Sequence, residues 1–270
     1  MNLQTKDIDG KYTLICADCL EFLKIMKDGD VDVTFTSPPY NDSGKTKSDI
    51  ENKRHVKYEN IENRDDWFEW QCNVIDELLR VTKRHVLYNV QAILNNKADV
   101  YRLIGKYADK IDQILVWYKP NAQPQHYPHR IANFYEMVLV FRGRNFDKLY
   151  INSNGYTNVI VQNINADHSW SEKHRAVMSK PFADEIIREF TMPNELVFDP
   201  FMGLATTGVC CAEQGRRFIG TEIYKPYFDI ACERMEGVTR QHSFFDMETD
   251  EKKQFSLWEG NDGVCNDSTA

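Results

Sequence analysis

A short apolar run that stops at two consecutive prolines constrains this chain most. Residues Asp32–Thr36 read Asp-Val-Thr-Phe-Thr and are followed by Ser37, Pro38, Pro39 and Tyr40. β-Branched and aromatic residues favour a strand, and a proline cannot donate to the hydrogen-bond ladder of a sheet. The pattern therefore predicts a buried strand that ends in a rigid turn.

Two interpretations of this turn stay open on these residues alone. The Ser37 hydroxyl and a proline carbonyl can accept hydrogen bonds from the exocyclic amine of a base, while Tyr40 stacks on the base. The other interpretation is an ordinary strand and turn, with Tyr40 in the core. The turn by itself favours neither.

A second feature combines two short strands, a loop of small residues and a helix. The first strand ends at Asp199, the loop contains Gly203, and the second strand, Arg217–Glu222, ends on an acid. This order is typical of a cradle for an adenosine-containing cofactor, because the glycine allows close approach and the acid accepts from the ribose hydroxyls. The loop is not GxGxxG, which disfavours a nicotinamide dinucleotide.

Together the two features resemble the DNA amino-methyltransferases that use S-adenosyl-L-methionine. Thr36–Tyr40 is similar to their catalytic (D/N/S)PP(Y/F) motif, and residues 199–207 are similar to their DPFxGxGTT cofactor loop. The catalytic residues that the resemblance implies are Ser37, Pro38, Pro39 and Tyr40. The cofactor-binding residues that it implies are Asp18, Lys180, Pro181, Asp199, Pro200, Phe201, Gly203, Ala205, Thr206 and Glu222.

Three of these positions, Asp18, Lys180 and Ala205, carry more specific expectations. The resemblance places Asp18 near the adenine amino group, although an aspartate there also fits a helix cap. It implies that Lys180, which precedes Pro181 in a helix, pairs with the carboxylate of the cofactor. Ala205 replaces the second glycine of the family loop. If that position requires a positive φ, the alanine is strained.

The order of the motifs and the alternation of strands with helices predict the fold. Alternating strands and helices favour a parallel, doubly wound sheet. Because the catalytic motif precedes the cofactor loop, the chain resembles the β group of the family. The predicted fold is therefore an α/β, Rossmann-like doubly wound methyltransferase sheet, mostly parallel with an antiparallel edge strand, in circularly permuted motif order. Strands 111–118 and 133–141 have no helix between them and are predicted to form an antiparallel pair at the sheet edge.

The resemblance covers nearly the whole chain and predicts its organisation. Residues 1–236 form the methyltransferase domain, with a small target-recognition insertion at about 143–171, and residues 237–270 form an acidic, flexible tail. The polar loop 42–64 follows the catalytic motif and contains several basic residues. It is either a DNA contact or an ordinary solvated loop.

The net charge and the cysteine content limit how the protein can contact DNA and where in the cell it is expected. A formal net charge of −8 excludes a wholly basic DNA-binding surface, so DNA contacts must come from local patches. Seven scattered cysteines, and no apolar run of the ~20 residues that span a bilayer, predict a cytoplasmic protein without membrane segments. Cys16 and Cys19, and His126 and His129, are spaced like metal ligands but lack further partners, so no metal site is predicted.

The predicted function is site-specific transfer of a methyl group to the exocyclic amine of a flipped base in double-stranded DNA. Serine before Pro-Pro favours cytosine N4 within the family, and adenine N6 is the alternative. A catalytically silent regulator that binds cofactor or DNA, and a methyltransferase for RNA or protein, also stay open. The chain has no Pro-Cys dipeptide, which disfavours cytosine C5 chemistry through a cysteine adduct. A homodimer and a separate cognate restriction endonuclease are further possible partners.

Overall fold

A computed structural model describes residues 3–40, 64–93, 96–122, 131–144, 149–164 and 177–240. The strands are β1 (Gln4–Ile8), β2 (Tyr12–Cys16), β3 (Val31–Thr36), β4 (Thr82–Val90), β5 (Ile111–Tyr118), β6 (Tyr135–Arg142), β7 (Val159–Val161), β8 (Leu196–Asp199) and β9 (Arg217–Glu222). The helices are α1 (Cys19–Leu23), α2 (Arg64–Val81), α3 (Lys97–Lys106), α4 (Lys180–Phe190), α5 (Thr206–Glu213) and α6 (225–240).

The strands form a single sheet in the order β1-β2-β9-β8-β3-β4-β6-β5-β7. Strands β2, β9, β8, β3 and β4 run parallel, whereas β1 pairs antiparallel with β2 at one edge and β6 runs antiparallel between β4 and β5. The sheet is therefore mostly parallel with an antiparallel edge strand, and this prediction is confirmed. The catalytic strand β3 lies directly beside the cofactor strand β8.

Two details of the sheet differ from the sequence prediction. Strands β5 and β6 pair antiparallel as predicted, but they do not form the edge, because β7 pairs parallel with β5 beyond them. Strands β1 and β7 were not predicted. β1 is mostly exposed and polar, so it lacks an apolar alternation, and β7 has only three residues.

Helices cover both faces of the sheet and bury an apolar core on each. On one face α4, α5 and α6 pack over β3 and β5, where the Phe182 ring stacks on Trp117 with centroids 4.2 Å apart and meets Phe35 edge-on. On the other face α1, α2 and α3 bury Trp67 and Tyr88. Because both faces are covered, ligands can reach the sheet only at its edges and loops.

The predicted division into domains is only partly within the described residues. Helix α6 continues through residue 240, past the boundary predicted at residue 236, and the rest of the acidic tail lies outside the described residues. The described part of the predicted insertion contributes β7 to the sheet, and nearly all of loop 42–64 lies outside. The division stays a prediction. Among the described residues, no helix has both the length and the apolar content that crossing a membrane requires.

Candidate active site

The residues that the two motifs contribute converge at the end of the sheet where the parallel strands finish. Ser37 follows β3, Asp199 ends β8 and Glu222 ends β9, and the carboxyl ends of parallel strands meet at the same edge. The antiparallel strand β6 begins at this edge, so its second residue, Glu136, lies there too. The structure thus brings the catalytic motif and the cofactor loop together.

The Asp199 carboxylate links the two motifs directly. Its Oδ1 accepts a hydrogen bond from Thr36 Oγ1 at 2.6 Å and from the Phe201 amide at 3.1 Å, and its Oδ2 accepts from Thr207 Oγ1 at 2.7 Å. Thr36 ends the catalytic strand, and Thr207 lies in the first turn of α5. The carboxylate therefore holds the cofactor loop in register with the catalytic motif.

The burial of Asp199 makes the stability of the fold depend on pH. Burial raises the pKa of Asp199 to about 6, above the ordinary value of 3.8, although the three hydrogen bonds oppose the shift. Because the folded-state pKa is the higher one, the folded protein binds the proton more tightly. The stabilising contribution of this proton is complete below about pH 4 and is lost as the pH rises through about 6.

We expect Asp199→Asn to remove this pH dependence. Asparagine keeps an acceptor for Thr36 and carries no charge to bury, and the Thr207 hydroxyl can turn to accept from the new amide. Between pH 5 and pH 7 the free energy of unfolding of the native protein should fall by about 1 kcal/mol relative to that of the variant. Urea denaturation of both proteins across this range measures the difference, and parallel curves would contradict the assignment.

The cofactor loop turns through two left-handed residues. Gly203 has φ of 51° and Ala205 has φ of 57°, and the Ala205 amide donates to the Met202 carbonyl at 2.7 Å where α5 begins. The position of the family glycine therefore does require a positive φ in this chain. An L-residue other than glycine pays about 1–2 kcal/mol for that conformation, so the strain anticipated for Ala205 is present.

We expect Ala205→Gly to raise the free energy of unfolding by up to about 1 kcal/mol, because relief of the strain outweighs the loss of one buried methyl group. Ala212→Gly is the matched control, since Ala212 is also buried and lies in α5 with ordinary helical geometry. That change should lower the free energy of unfolding by about 1 kcal/mol. Thermal or urea unfolding compares them, and equal losses for both variants would count against strain at Ala205.

The Glu222 carboxylate lies against the glycine of the cofactor loop. Its Oε2 accepts from the Gly203 amide at 3.1 Å and its Oε1 from the Tyr224 amide at 2.8 Å. One strand further along the sheet, Asp18 caps α1 by accepting from the Leu20 amide at 2.9 Å. A left-handed glycine, with acids at the ends of two adjacent strands, fits an adenosine-containing cofactor. The capping interpretation of Asp18 is observed, and its contact with adenine stays a prediction.

Lys180 lies apart from this group. Its Nζ forms ion pairs with Asp184 Oδ2 at 2.8 Å and Glu213 Oε2 at 2.6 Å. Glu213 is the last residue of α5, and Thr206 at the cofactor loop is the first, roughly 10 Å away along the helix axis. The Lys180 ammonium is therefore directed away from Gly203. Contacts of Lys180 and Pro181 with the cofactor stay predictions.

The catalytic motif meets polar side chains from three other strands or strand ends. The Ser37 and Tyr40 hydroxyls are 2.9 Å apart, and the Tyr40 hydroxyl donates to Glu136 Oε2 at 2.7 Å. Asn89 Nδ2 lies 2.8 Å from the Tyr40 hydroxyl and 2.6 Å from Glu136 Oε2, and Lys119 Nζ lies 2.8 Å from Glu136 Oε1. We call Ser37, Tyr40, Asn89, Lys119 and Glu136 the Tyr40 network.

Sequence analysis missed the roles of Asn89 and Glu136. A signal was present, because Asn89 interrupts the apolar and aromatic run 86–90 in β4, and Glu136 directly precedes the apolar run 137–141 in β6. Buried polar groups of this kind need partners, and here the partners are in the catalytic motif.

The backbone carbonyls of the catalytic motif differ in their partners. The Pro39 carbonyl accepts from Gln71 Nε2 at 3.4 Å, and the Tyr40 carbonyl accepts from Asn96 Nδ2 at 2.6 Å. Within the described residues no side chain donates to the Pro38 carbonyl. Ser37 and Pro38 are therefore the motif positions best placed to offer acceptors to a ligand.

No metal centre is found in the described part of the chain, where no three His, Cys, Asp or Glu side chains are grouped closely enough to hold an ion. His126 and His129 lie outside the described residues.

Comparison with known proteins agrees with this geometry. Residues 31–233 match the N6/N4 methyltransferase family, described as DNA methylase. The Type II methyltransferase M2.DpnII of Streptococcus pneumoniae is 25% identical over 249 residues, which cover 84% of this chain and 91% of that protein.

Two solved structures share the fold. The PvuII DNA methyltransferase, cytosine-N4-specific, superposes with a TM-score of 0.65 at 15% identity and covers 86% of this chain and 92% of its own. The M1.HpyAVI–SAM complex superposes with a TM-score of 0.56 at 22% identity and covers 83% of this chain and 99% of its own.

The sheet, the two adjoining motifs and the family match together define a DNA methyltransferase. This chain belongs to the N6/N4 family of DNA methylases. The predicted class, an S-adenosylmethionine-dependent DNA amino-methyltransferase, is thereby confirmed.

Proposed function

We propose that this chain methylates the N4 amine of cytosine, flipped out of double-stranded DNA at a specific sequence. One observation carries the proposal. The acceptors at Ser37 and Pro38 directly follow Thr36, whose hydroxyl is bonded to Asp199 beside the cofactor loop. The groups that would hold the amine are thus fixed relative to the groups that would hold the methyl donor.

The chemistry requires that a weak nucleophile be activated and aimed. The lone pair of an exocyclic amine is delocalised into the ring of the base. Hydrogen bonds from its two N–H groups to Ser37 Oγ and the Pro38 carbonyl would favour a more tetrahedral nitrogen and expose the lone pair. S-Adenosylmethionine, when bound, supplies a methyl group activated by a sulfonium. Positioning and electrostatics then provide most of the acceleration, and no covalent nucleophile on the protein is needed.

Tyr40 supports the base as well as the network. Stacking of a base on an aromatic ring contributes about 1–3 kcal/mol and tolerates any base. The Tyr40 ring would therefore retain the flipped nucleotide, while its hydroxyl is held by Ser37 and Glu136. Cytosine N4 is favoured because serine precedes Pro-Pro in the motif, and adenine N6 is the alternative.

The other predictions are part of this proposal. The resemblance implies double-stranded DNA as the substrate and a short target-recognition segment at about 143–171. A homodimer and a separate cognate restriction endonuclease are candidate partners, and the scattered cysteines favour a cytoplasmic location. Because the net charge is −8, DNA contacts are expected to come from local basic patches. Each contact with a phosphate weakens as the salt concentration rises.

Long-read sequencing that detects modified bases tests the base and the site together. Unmethylated genomic DNA is incubated with the protein and S-adenosylmethionine, and an identical sample without the methyl donor is the control. We expect N4-methylcytosine within one short recurring sequence. N6-methyladenine would keep the chemistry and overturn the base assignment, and modification without a recurring sequence would contradict site specificity.

A further inference from the structure

The Tyr40 network fixes the direction of each hydrogen bond around the catalytic motif. A carboxylate can only accept, and a tyrosine hydroxyl has a single hydrogen. The Tyr40 hydrogen is therefore committed to Glu136 Oε2, 2.7 Å away. In the 2.9 Å contact between the Ser37 and Tyr40 hydroxyls, Ser37 must then be the donor.

The second partner of Tyr40 enforces the same direction. Asn89 Nδ2 lies 2.6 Å from Glu136 Oε2, so the amide must present its nitrogen to the carboxylate. The same nitrogen is 2.8 Å from the Tyr40 hydroxyl and 3.4 Å from Ser37 Oγ, and it can only donate to them. Ser37 is thus surrounded by groups that leave it no hydrogen for a ligand.

Lys119 keeps Glu136 an acceptor. The two side chains are only 9% and 12% exposed, and the Nζ to Oε1 distance is 2.8 Å. An ammonium can only donate, so Glu136 Oε1 accepts from Lys119 just as Oε2 accepts from Tyr40 and Asn89. Burial and the nearby Glu136 charge also raise the pKa of Tyr40 well above its ordinary value, so the tyrosine keeps its hydrogen.

We propose that Glu136 is a positioning residue that acts through Tyr40 to make Ser37 a pure hydrogen-bond acceptor, and thereby selects a base with an exocyclic amine over one with a carbonyl oxygen at the same position. The inference rests on the proposed amine methylation and deepens it. An amine N–H matches the lone pairs that Ser37 Oγ presents. A carbonyl oxygen would meet those lone pairs without a hydrogen between them, which is a repulsive contact.

Glu136→Gln should remove the fixed direction of these hydrogen bonds. Lys119 can only donate, so it selects the amide oxygen of the glutamine and turns the amide nitrogen toward Tyr40 and Asn89. Asn89 then turns its amide to present its oxygen to this nitrogen. The Tyr40 hydrogen is no longer committed to position 136 and is shared between the Asn89 oxygen and Ser37. Whenever it points to Ser37, the Ser37 hydroxyl can donate to the base, which suits a carbonyl oxygen and opposes an amine.

The test measures binding to duplexes built on the sequence that the native protein methylates. The target position carries either the amine base or its carbonyl counterpart, cytosine against uracil or adenine against hypoxanthine. An abasic site opposite removes the cost of unpairing from both duplexes. S-Adenosylhomocysteine replaces the methyl donor, so that no turnover occurs during the titration. We expect the native protein to prefer the amine duplex by about 10- to 100-fold and Glu136→Gln to reduce that ratio at least tenfold.

Glu195→Gln is the matched control. Glu195 forms an ion pair with Arg84 that is about as buried as the pair of Glu136 with Lys119. Glu195 precedes β8, so it lies at the end of the sheet opposite the catalytic motif. Glu195→Gln should therefore leave the binding ratio unchanged. A merely structural role for Glu136 would weaken binding to both duplexes and leave their ratio as in the native protein, and that result would overturn the inference.

Tyr40→Phe keeps the test decisive if Glu136→Gln does not fold. It removes only the hydroxyl that joins Ser37 to Glu136 and leaves the ion pair with Lys119 intact. We expect the binding ratio to fall toward one, and an unchanged ratio would overturn the inference. If the native protein methylates no DNA, the proposed function fails and this inference with it. If the native protein methylates DNA and the variants keep its ratio, only this inference fails.

Discussion

Tyr40→Ala is expected to lower the turnover of DNA methylation by about 10²- to 10³-fold while the affinity for S-adenosylmethionine changes less than about threefold. The substitution removes the ring that would stack on the base. It also removes the hydroxyl that holds Ser37 and receives Asn89. The observed hydrogen bonds of Asp199 and Glu222 do not involve Tyr40. The cofactor loop should therefore keep its geometry in this variant.

Transfer of a radiolabelled methyl group to unmethylated DNA measures the turnover, and calorimetry measures cofactor affinity. Tyr107→Ala is the control for losing a buried tyrosine. The Tyr107 hydroxyl forms hydrogen bonds as a donor with the Cys72 carbonyl and the Asp76 carboxylate on α2, and these partners are not part of the catalytic motif. It should destabilise the protein without a selective loss of turnover. If Tyr40→Ala abolished cofactor binding together with turnover, the Pro-Pro-Tyr motif would be structural.

Glu222→Gln is expected to weaken S-adenosylmethionine binding by about 10- to 100-fold. In the native protein both carboxylate oxygens accept backbone hydrogen bonds, one from Gly203 and one from Tyr224. A glutamine must turn its amide nitrogen toward one of these donors, which disturbs the loop. It also removes the charge that would accept from the ribose hydroxyls.

Two variants at the far end of α5 serve as controls for this result. Glu213→Gln and Lys180→Met alter the ion pair that the structure places about one helix length from the cofactor loop. Glu213→Gln should leave cofactor affinity within about threefold of the native value, and the observed position of the Lys180 ammonium gives the same expectation for Lys180→Met. A large loss for Lys180→Met alone would instead support the contact with the cofactor carboxylate that the family resemblance implies. Unchanged affinity in Glu222→Gln would contradict the assignment of the cofactor site.

The parts of the fold that the sequence predicted have strong local causes. Strand β5 runs from Ile111 to Tyr118 as its apolar and β-branched residues predict, and α4 begins at Lys180, just before Pro181. The two motifs were recognisable because their prolines and glycine impose backbone shapes that few other residues adopt. The adjacency of β3 and β8, which brings the two motifs together, is known only from the structure.

The parts that the sequence did not predict depend on contacts between distant residues. Tyr40 and Glu136 are 96 positions apart, and only the insertion of β6 between β4 and β5 brings them together. No periodicity in either segment encodes that contact. Lys180 shows the converse case. Its motif resembles the family, but the acids on α4 and α5 determine where its ammonium lies.

Ala205 could be understood only from the sequence and the backbone geometry together. The sequence showed that alanine replaces a glycine, and only the backbone shows that the position has φ of 57°. The backbone strain therefore lies at Ala205, where the cofactor loop meets α5.

The central claim is that the exocyclic amine of a DNA base is the methyl acceptor. The most direct test is mass spectrometry of nucleosides from unmethylated DNA, after incubation with the native protein and S-adenosylmethionine that carries a trideuterated methyl group. We predict N4-(trideuteromethyl)-deoxycytidine, which is absent when Ser37→Ala replaces the native protein. The label on C5 of cytosine, or no labelled nucleoside from a protein that binds the methyl donor, would contradict the account.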